Sequence, residues 1–331
     1  MRDSWYPDRA ELDRLGRSIP PQVRFGTSSW TYPAWKGLVY TRDYPESGAS
    51  APMLGEYARF PLFRTVGIDS SFYGPLTDKA LRSYAAVLPP GFPCVSKVWD
   101  RITVHTFSKA REKARGGEPN PDFLNVEAFR REVWQPLVTH FADHLGPLVF
   151  EFQAIAREDR MSPQRFADRL DAFFARLPPE GRYAVEVRNA EFLTPAYFAV
   201  LREHDVAHVL NSWTRMPSIG EQLELPGSLT AGFLVARALL RPGRYYADAV
   251  DAFQPYDRIR DPNPELRADL VRLVRLAERL RIPAYLLVNN RAEGSAPLTI
   301  AAIAGLLEGE QRQQSTVNSQ PEPPRQEELL A

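Results

Sequence analysis

Charged side chains recur at the ends of several apolar runs, in registers that would place them on one surface. In a β-strand, alternate residues face the same side. Over 183–189, Ala184, Glu186 and Arg188 share one face, and Val185 and Val187 the other. Over 147–153, Val149, Glu151 and Gln153 oppose Leu148, Phe150 and Phe152. Asp69, Ser71 and Tyr73 share a face over 65–73, as do Phe233, Val235 and Arg237 over 232–237, and Tyr285, Leu287 and Asn289 over 284–290. Most of these faces begin apolar and end polar. Buried charges are costly unless paired or solvated, so several strands ending this way imply a shared polar pocket.

The pocket charges are Asp69, Glu151 and Glu186 against Lys97, Arg188 and Arg237. A two-metal hydrolase would show an excess of carboxylates and histidines. The balance instead suits recognition of a small polar or anionic ligand by Arg and Lys, with one carboxylate of raised pKa as acid or base. No metal and no cofactor is expected. Glu186, tuned by Arg188, is the first catalytic candidate, and Glu151 the second. Two carboxylates on neighbouring strands would suit glycosidic hydrolysis. Arg237 and Lys97 would hold the anionic or oxygen-rich group, and Asp69, Tyr73 and Asn289 would add hydrogen bonds.

Each signal has a plainer reading. Glu186 and Arg188 could be a satisfied structural pair. A register slip of one residue would turn Glu151 outward. Asn289 and Asn290 are adjacent, so one faces inward and the other holds backbone. Trp30, Tyr32, Trp35, Phe72 and Tyr73 read as core and loop packing, or as a stacking platform for a sugar or base. His140 and His144 read as a solvent-facing pair near a helix C-terminus. His204 and His208 span a helix end and a strand start, which disfavours a metal. His105 follows Lys97 in a loop and could line the site. Cys94, the single cysteine, reads as a small buried residue.

The elements that must position these groups alternate. Candidate strands lie at 24–30, 65–73, 93–98, 147–153, 183–189, 206–213, 232–237 and 284–290. Helical patterns lie at 54–60, 78–87, 126–145, 163–177, 195–204, 264–281 and 296–307, with Ser162-Pro163 and Thr194-Pro195 as helix starts. Eight βα units in an α/β chain of 331 residues predict a single (β/α)8 TIM-like barrel with parallel strands. No GxGxxG or P-loop supports a doubly wound sheet. Long segments at 100–123, 214–231 and 238–263 each follow a strand, which places them at the C-terminal face where barrel sites are built.

Residues 1–22 read as an N-terminal extension, 23–308 as the barrel, and 309–331 as a disordered tail rich in Gln, Glu, Pro and Ser. Lys plus Arg is 41 and Asp plus Glu is 41, so the overall charge gives no footprint for nucleic acid. No apolar run is long enough to span a bilayer, and the first residues lack a signal-peptide pattern, so a cytoplasmic location is expected. Oligomeric state has no sequence signal.

The same residues carry a family resemblance. Gly26-Thr-Ser-Ser-Trp30 precedes Tyr32 and Trp35-Lys-Gly37, and Thr65-Val-Gly-Ile-Asp69 runs into Ser71-Phe-Tyr73. Lys97, Ile102-Thr-Val-His105, Ala184-Val-Glu-Val-Arg188, Arg237, Val288-Asn-Asn290 and Gly294-Ser-Ala296 follow in order. Together they resemble the DUF72 (YecE-like) family of barrel proteins over about residues 23–308. The resemblance implies the barrel and a polar site containing these residues, His105 and Trp30 included. It does not imply a reaction. The chain departs from the family pattern at Asp69 (usually Asn), Glu151 (usually Gln), Asn189 and Phe192 (usually His and Trp) and Leu239 (within a usual Arg-x-His-Gly). The functional expectation is a metal-independent hydrolase or other acid/base enzyme of a small ligand. The alternatives are a nucleic-acid-processing or DNA-binding barrel and a non-catalytic binding protein.

Overall fold

The structure is a computed structural model that describes residues 7–107, 115–155, 161–244 and 246–318. Its strands are β1 (Val23–Thr27), β2 (Val66–Ile68), β3 (Cys94–Lys97), β4 (Leu145–Phe152), β5 (Tyr183–Val187), β6 (Ala207–Asn211), β7 (Leu234–Ala238) and β8 (Ala284–Val288). They run in the order β1-β8-β7-β6-β5-β4-β3-β2, with every paired neighbour parallel. This is a nearly closed barrel with helices outside, as the alternating pattern predicts.

Alternation along each strand builds two layers of core. Val95, Val149, Ala184, Ala207, Val209, Phe233, Val235, Tyr285 and Leu287 fill the barrel interior. The opposite faces, such as Leu148, Phe150, Phe152, Val185 and Val187, pack under the helices. Ser162, Thr194 and Asn263 cap helices that open on proline, each side chain accepting an amide of the first turn.

The seam between β1 and β2 closes by other means. The Arg64 amide donates to Phe25 O at 2.8 Å. The Thr27 amide donates to the Tyr57 hydroxyl, which lies 3.2 Å from Thr65 O. Gly26 makes this approach possible, because a Cβ there would sit 2.1 Å from the Thr65 carbonyl oxygen.

Several boundaries differ from the sequence reading. The run 65–73 is strand only to Ile68. A 3₁₀ turn, Asp69–Phe72, follows, held by Ser71 Oγ donating to Ile68 O and Lys97 O. The helix expected over 126–145 breaks up, with a π-helical turn at Arg130–Trp134 ahead of Pro136, which has no amide to donate. It ends at His140, and β4 already begins at Leu145. His144 is buried with Nδ1 3.0 Å from Phe92 O, so the His140–His144 pair does not face solvent.

The ends also differ. The helix Arg9–Ser18 buries Leu12 and Leu15 and packs on the last helix, Ala296–Asn318. Arg14 pairs with Glu308, Arg275 with Glu310 at 2.9 Å, and Gln311 Nε2 donates to Ser18 O. The polar stretch expected to be disordered from 309 is instead helical to Asn318, with Glu310 and Gln311 held by these partners. Residues 1–6 and 319–331 lie outside the described residues. No described helix is long and apolar enough to cross a membrane.

Two stability measurements follow. Gly26→Ala should destabilise by about 1–3 kcal/mol in urea unfolding, because the obstructing atom is backbone; an unchanged midpoint would remove the close-approach argument. His208 is fully buried beside Tyr197, its Nδ1 3.1 Å from the hydroxyl, and burial lowers its pKa to about 4. Its folded pKa thus lies below the unfolded value near 6.5, so its contribution is complete above that value and declines as pH falls toward 4. Between those limits wild type should lose up to about 3 kcal/mol that His208→Gln does not lose; parallel pH profiles would contradict this.

Candidate functional site

Above the apolar layers, the next inward-facing positions carry the charges. Glu151 and Glu186 are register partners on β4 and β5, and Arg237 of β7 is the register partner of Leu287 of β8. Lys97 ends β3, Asp69 opens the turn after β2, and Arg188 follows β5. The structure brings all six together. Arg237, 2% exposed, donates Nη1 to Glu151 at 2.9 Å and to Glu186, and Nη2 to Asp69 at 2.9 Å. Lys97 Nζ lies 2.8 Å from Glu151 and 3.2 Å from Asp69. Arg188 reaches Glu151 through Nη2 at 2.9 Å and Glu186 through Nε at 3.3 Å. Its guanidinium lies 3.8 Å from the centre of the Trp213 ring.

The electrostatics follow from this closeness. Burial pushes the Glu151 carboxyl up, but the Arg188, Lys97 and Arg237 charges outweigh it and hold Glu151 well below the usual carboxylate range. Glu151 is therefore the reverse of the raised-pKa acid that the sequence reading sought. Burial also opposes the Arg237 charge, and Asp69, Glu186 and Glu151 outweigh it, so the guanidinium holds its proton more firmly than usual. Arg237 Nη1 is bonded to Glu151 and Glu186 alike, so it stands between the two carboxylates where a glycosidic oxygen would have to lie.

A cavity of about 210 Å³ opens over this cluster, lined by Asp69, Lys97, Glu151, Arg188 and Arg237 together with Phe72, Tyr73, Gln153, Trp213, Leu239, Leu240, Asn289 and Arg291. Glu186 is fully buried beneath it and does not line it. Tyr73 stands at the rim, 72% exposed. Asn289 Oδ1 accepts the Arg291 amide, while Asn290 Oδ1 accepts that of Ala296. Trp30 is not at the cavity: it is buried, with Nε1 donating to Ser50 O, and packs edge-on to Tyr84. His105 is not there either; it packs edge-on to Phe123, with Nδ1 3.2 Å from the Thr106 hydroxyl.

A profile of the family described as "Protein of unknown function DUF72" matches residues 24–327. The chain belongs to the DUF72 family. A DUF72 family protein from Thermotoga maritima MSB8 has a solved structure that is similar at a TM-score of 0.57 and 20% identity, over 86% of this chain and 99% of that one. One from Enterococcus faecalis V583 is similar at 0.56 and 17%, over 87% and 95%. These likenesses show the barrel fold. No curated protein matches the chain.

In this DUF72 barrel, Asp69 and Glu151 replace the Asn and Gln that the resemblance leads one to expect, and both contact Arg237 and Lys97. Asn189 secures the loop after β4, its amide bonding both the N–H and the carbonyl of Ile155. Sequence reasoning missed Trp213, Arg291, Leu239 and Leu240 as lining residues. Alternation past Val209 and Asn211 does point at Trp213, whereas Arg291 lies in a 3₁₀ turn with no period to reveal it.

Glu186→Gln removes one counter-charge from Arg237 and Arg188 where water cannot replace it. It should destabilise by about 3 kcal/mol in chemical denaturation; a loss below about 1 kcal/mol would place Glu186 outside the supporting frame.

Proposed function

We propose that the barrel mouth binds a small polar ligand, anionic or oxygen-rich, on a frame of buried ion pairs. The observation that carries this reading is the cavity of about 210 Å³ with Lys97 and Arg188 on its wall, held by Glu151 beside them and, for Arg188, by Glu186 beneath. Such preorganisation lowers the cost of ordering side chains around a ligand. Leu239, Leu240 and Trp213 supply an apolar wall for its carbon skeleton.

The acid/base role passes from Glu186 and Glu151 to Asp69. Glu186 is sealed off and Glu151 is held ionised by three cations. The Asp69 side chain is 26% exposed and lines the cavity. Lys97 Nζ, 3.2 Å away, is placed to donate a hydrogen bond to the same ligand. A metal-independent hydrolase-like or isomerase-like step is compatible with that pair, and binding without turnover is the simplest use of a neutralised frame.

A thermal-shift screen of sugars, sugar phosphates, small carboxylic acids, nucleotides and short DNA tests this. A small ligand should raise the melting temperature of wild type, equivalent to about 2.7 kcal/mol at a hundredfold excess over Kd. Arg188→Gln should lose most of that shift while staying folded. A response to DNA alone, or an equal shift in the variant, would remove the small-ligand reading.

A further inference from the structure

The donors left over in the cavity narrow the ligand's chemistry, an argument that rests on the binding reading above. Arg188 spends Nε and Nη2 on Glu186 and Glu151, and its Nη1 meets no acceptor among the described residues. Lys97 holds Asp69 and Glu151 with a further N–H to offer. Arg237 Nε is buried with no partner, although the rest of that guanidinium is saturated. Asn289 Oδ1 is taken by the Arg291 amide, which leaves its Nδ2 as the group it can present. Among the acceptors, Asp69 and Glu151 are already engaged by two or more cationic side chains each.

Charge points the same way. Lys97, Arg188, Arg237 and Arg291 line the cavity, against Asp69 and Glu151 on the wall and Glu186 beneath. Lys97, Arg188 and Arg237 balance these three carboxylates, so no uncompensated carboxylate repels an incoming oxyanion in the partly desolvated site. A neutral sugar brings hydroxyl donors that need acceptors, and this wall is rich in donors instead. An oxyanion brings only acceptors. The Trp213 ring beneath Arg188 fixes the guanidinium plane, so the donor is presented rather than mobile.

We infer that the mouth is an oxyanion site: a phosphate or carboxylate group of a small organic molecule seats between Arg188 Nη1 and Lys97 Nζ, with its carbon portion toward Leu239 and Leu240. Arg188 and Lys97 are the ligand-facing cations. Arg237, which looks like the anion-binding residue in the sequence, is the positioning residue that ties Asp69, Glu151 and Glu186 together.

Titrations of the full chain with inorganic phosphate, malonate and a neutral sugar, at matched ionic strength, test this by thermal shift and ³¹P line width. Wild type should bind phosphate or malonate. Arg188→Gln and Lys97→Met should each weaken that binding about tenfold or more, while Arg131→Gln, an exposed surface change, should not. Phosphate alone would identify a phosphomonoester and malonate alone a carboxylic acid; either supports the inference. Oxyanion binding that is unchanged in both cavity variants overturns it. Binding of the sugar but of neither anion overturns it too and leaves the wider binding reading standing. Silence from all three ligands overturns both.

Discussion

The fold's upper end depends on one buried guanidinium. Arg237 leaves β7 into the barrel axis and meets carboxylates that come from the turn after β2, from β4 and from β5. A single arginine thereby ties together strands from both sides of the barrel. Desolvation of so many charges is costly, and it is tolerated because each carboxylate meets two or three cationic side chains. The cluster is better understood as a specificity device than as a source of stability: it fixes where the side chains above it point.

The layered interior explains how a sequence can write this. Small and branched residues, Ala184, Val149, Val209 and Val235, fill the lower barrel. One pleat higher the same faces turn to Glu186, Glu151, Asn211 and Arg237, all buried. Because the strand period is two, each charge lands on the axis once its strand is placed. The family match and the similar solved structures agree with the barrel that this alternation builds.

That period made the barrel and six convergent charges legible in the sequence. It did not reveal depth. Glu186 and Glu151 occupy equivalent registers with Asp69 near them, yet only Asp69 has appreciable exposure, because a 3₁₀ turn carries it to the rim. The turn depends on Ser71 finding two carbonyls, a tertiary event with no local signature. Trp30 and His105 were drawn toward the site by motif likeness, and packing took them elsewhere: Trp30 against Tyr84 and His105 against Phe123. The helical ends were illegible for a similar reason. Glu310 and Gln311 look like tail residues until Arg275 and Ser18 are brought beside them.

The central claim is that a rigid, internally neutralised frame presents Arg188 and Lys97 to a ligand. A crystal structure of the protein grown with phosphate or malonate tests it most directly. The account predicts oxyanion density bridging Arg188 Nη1 and Lys97 Nζ, with Arg237 still bonded to Asp69, Glu151 and Glu186. Density on Arg237 in place of those carboxylates, or a cavity closed by collapse of the ion pairs, would contradict it.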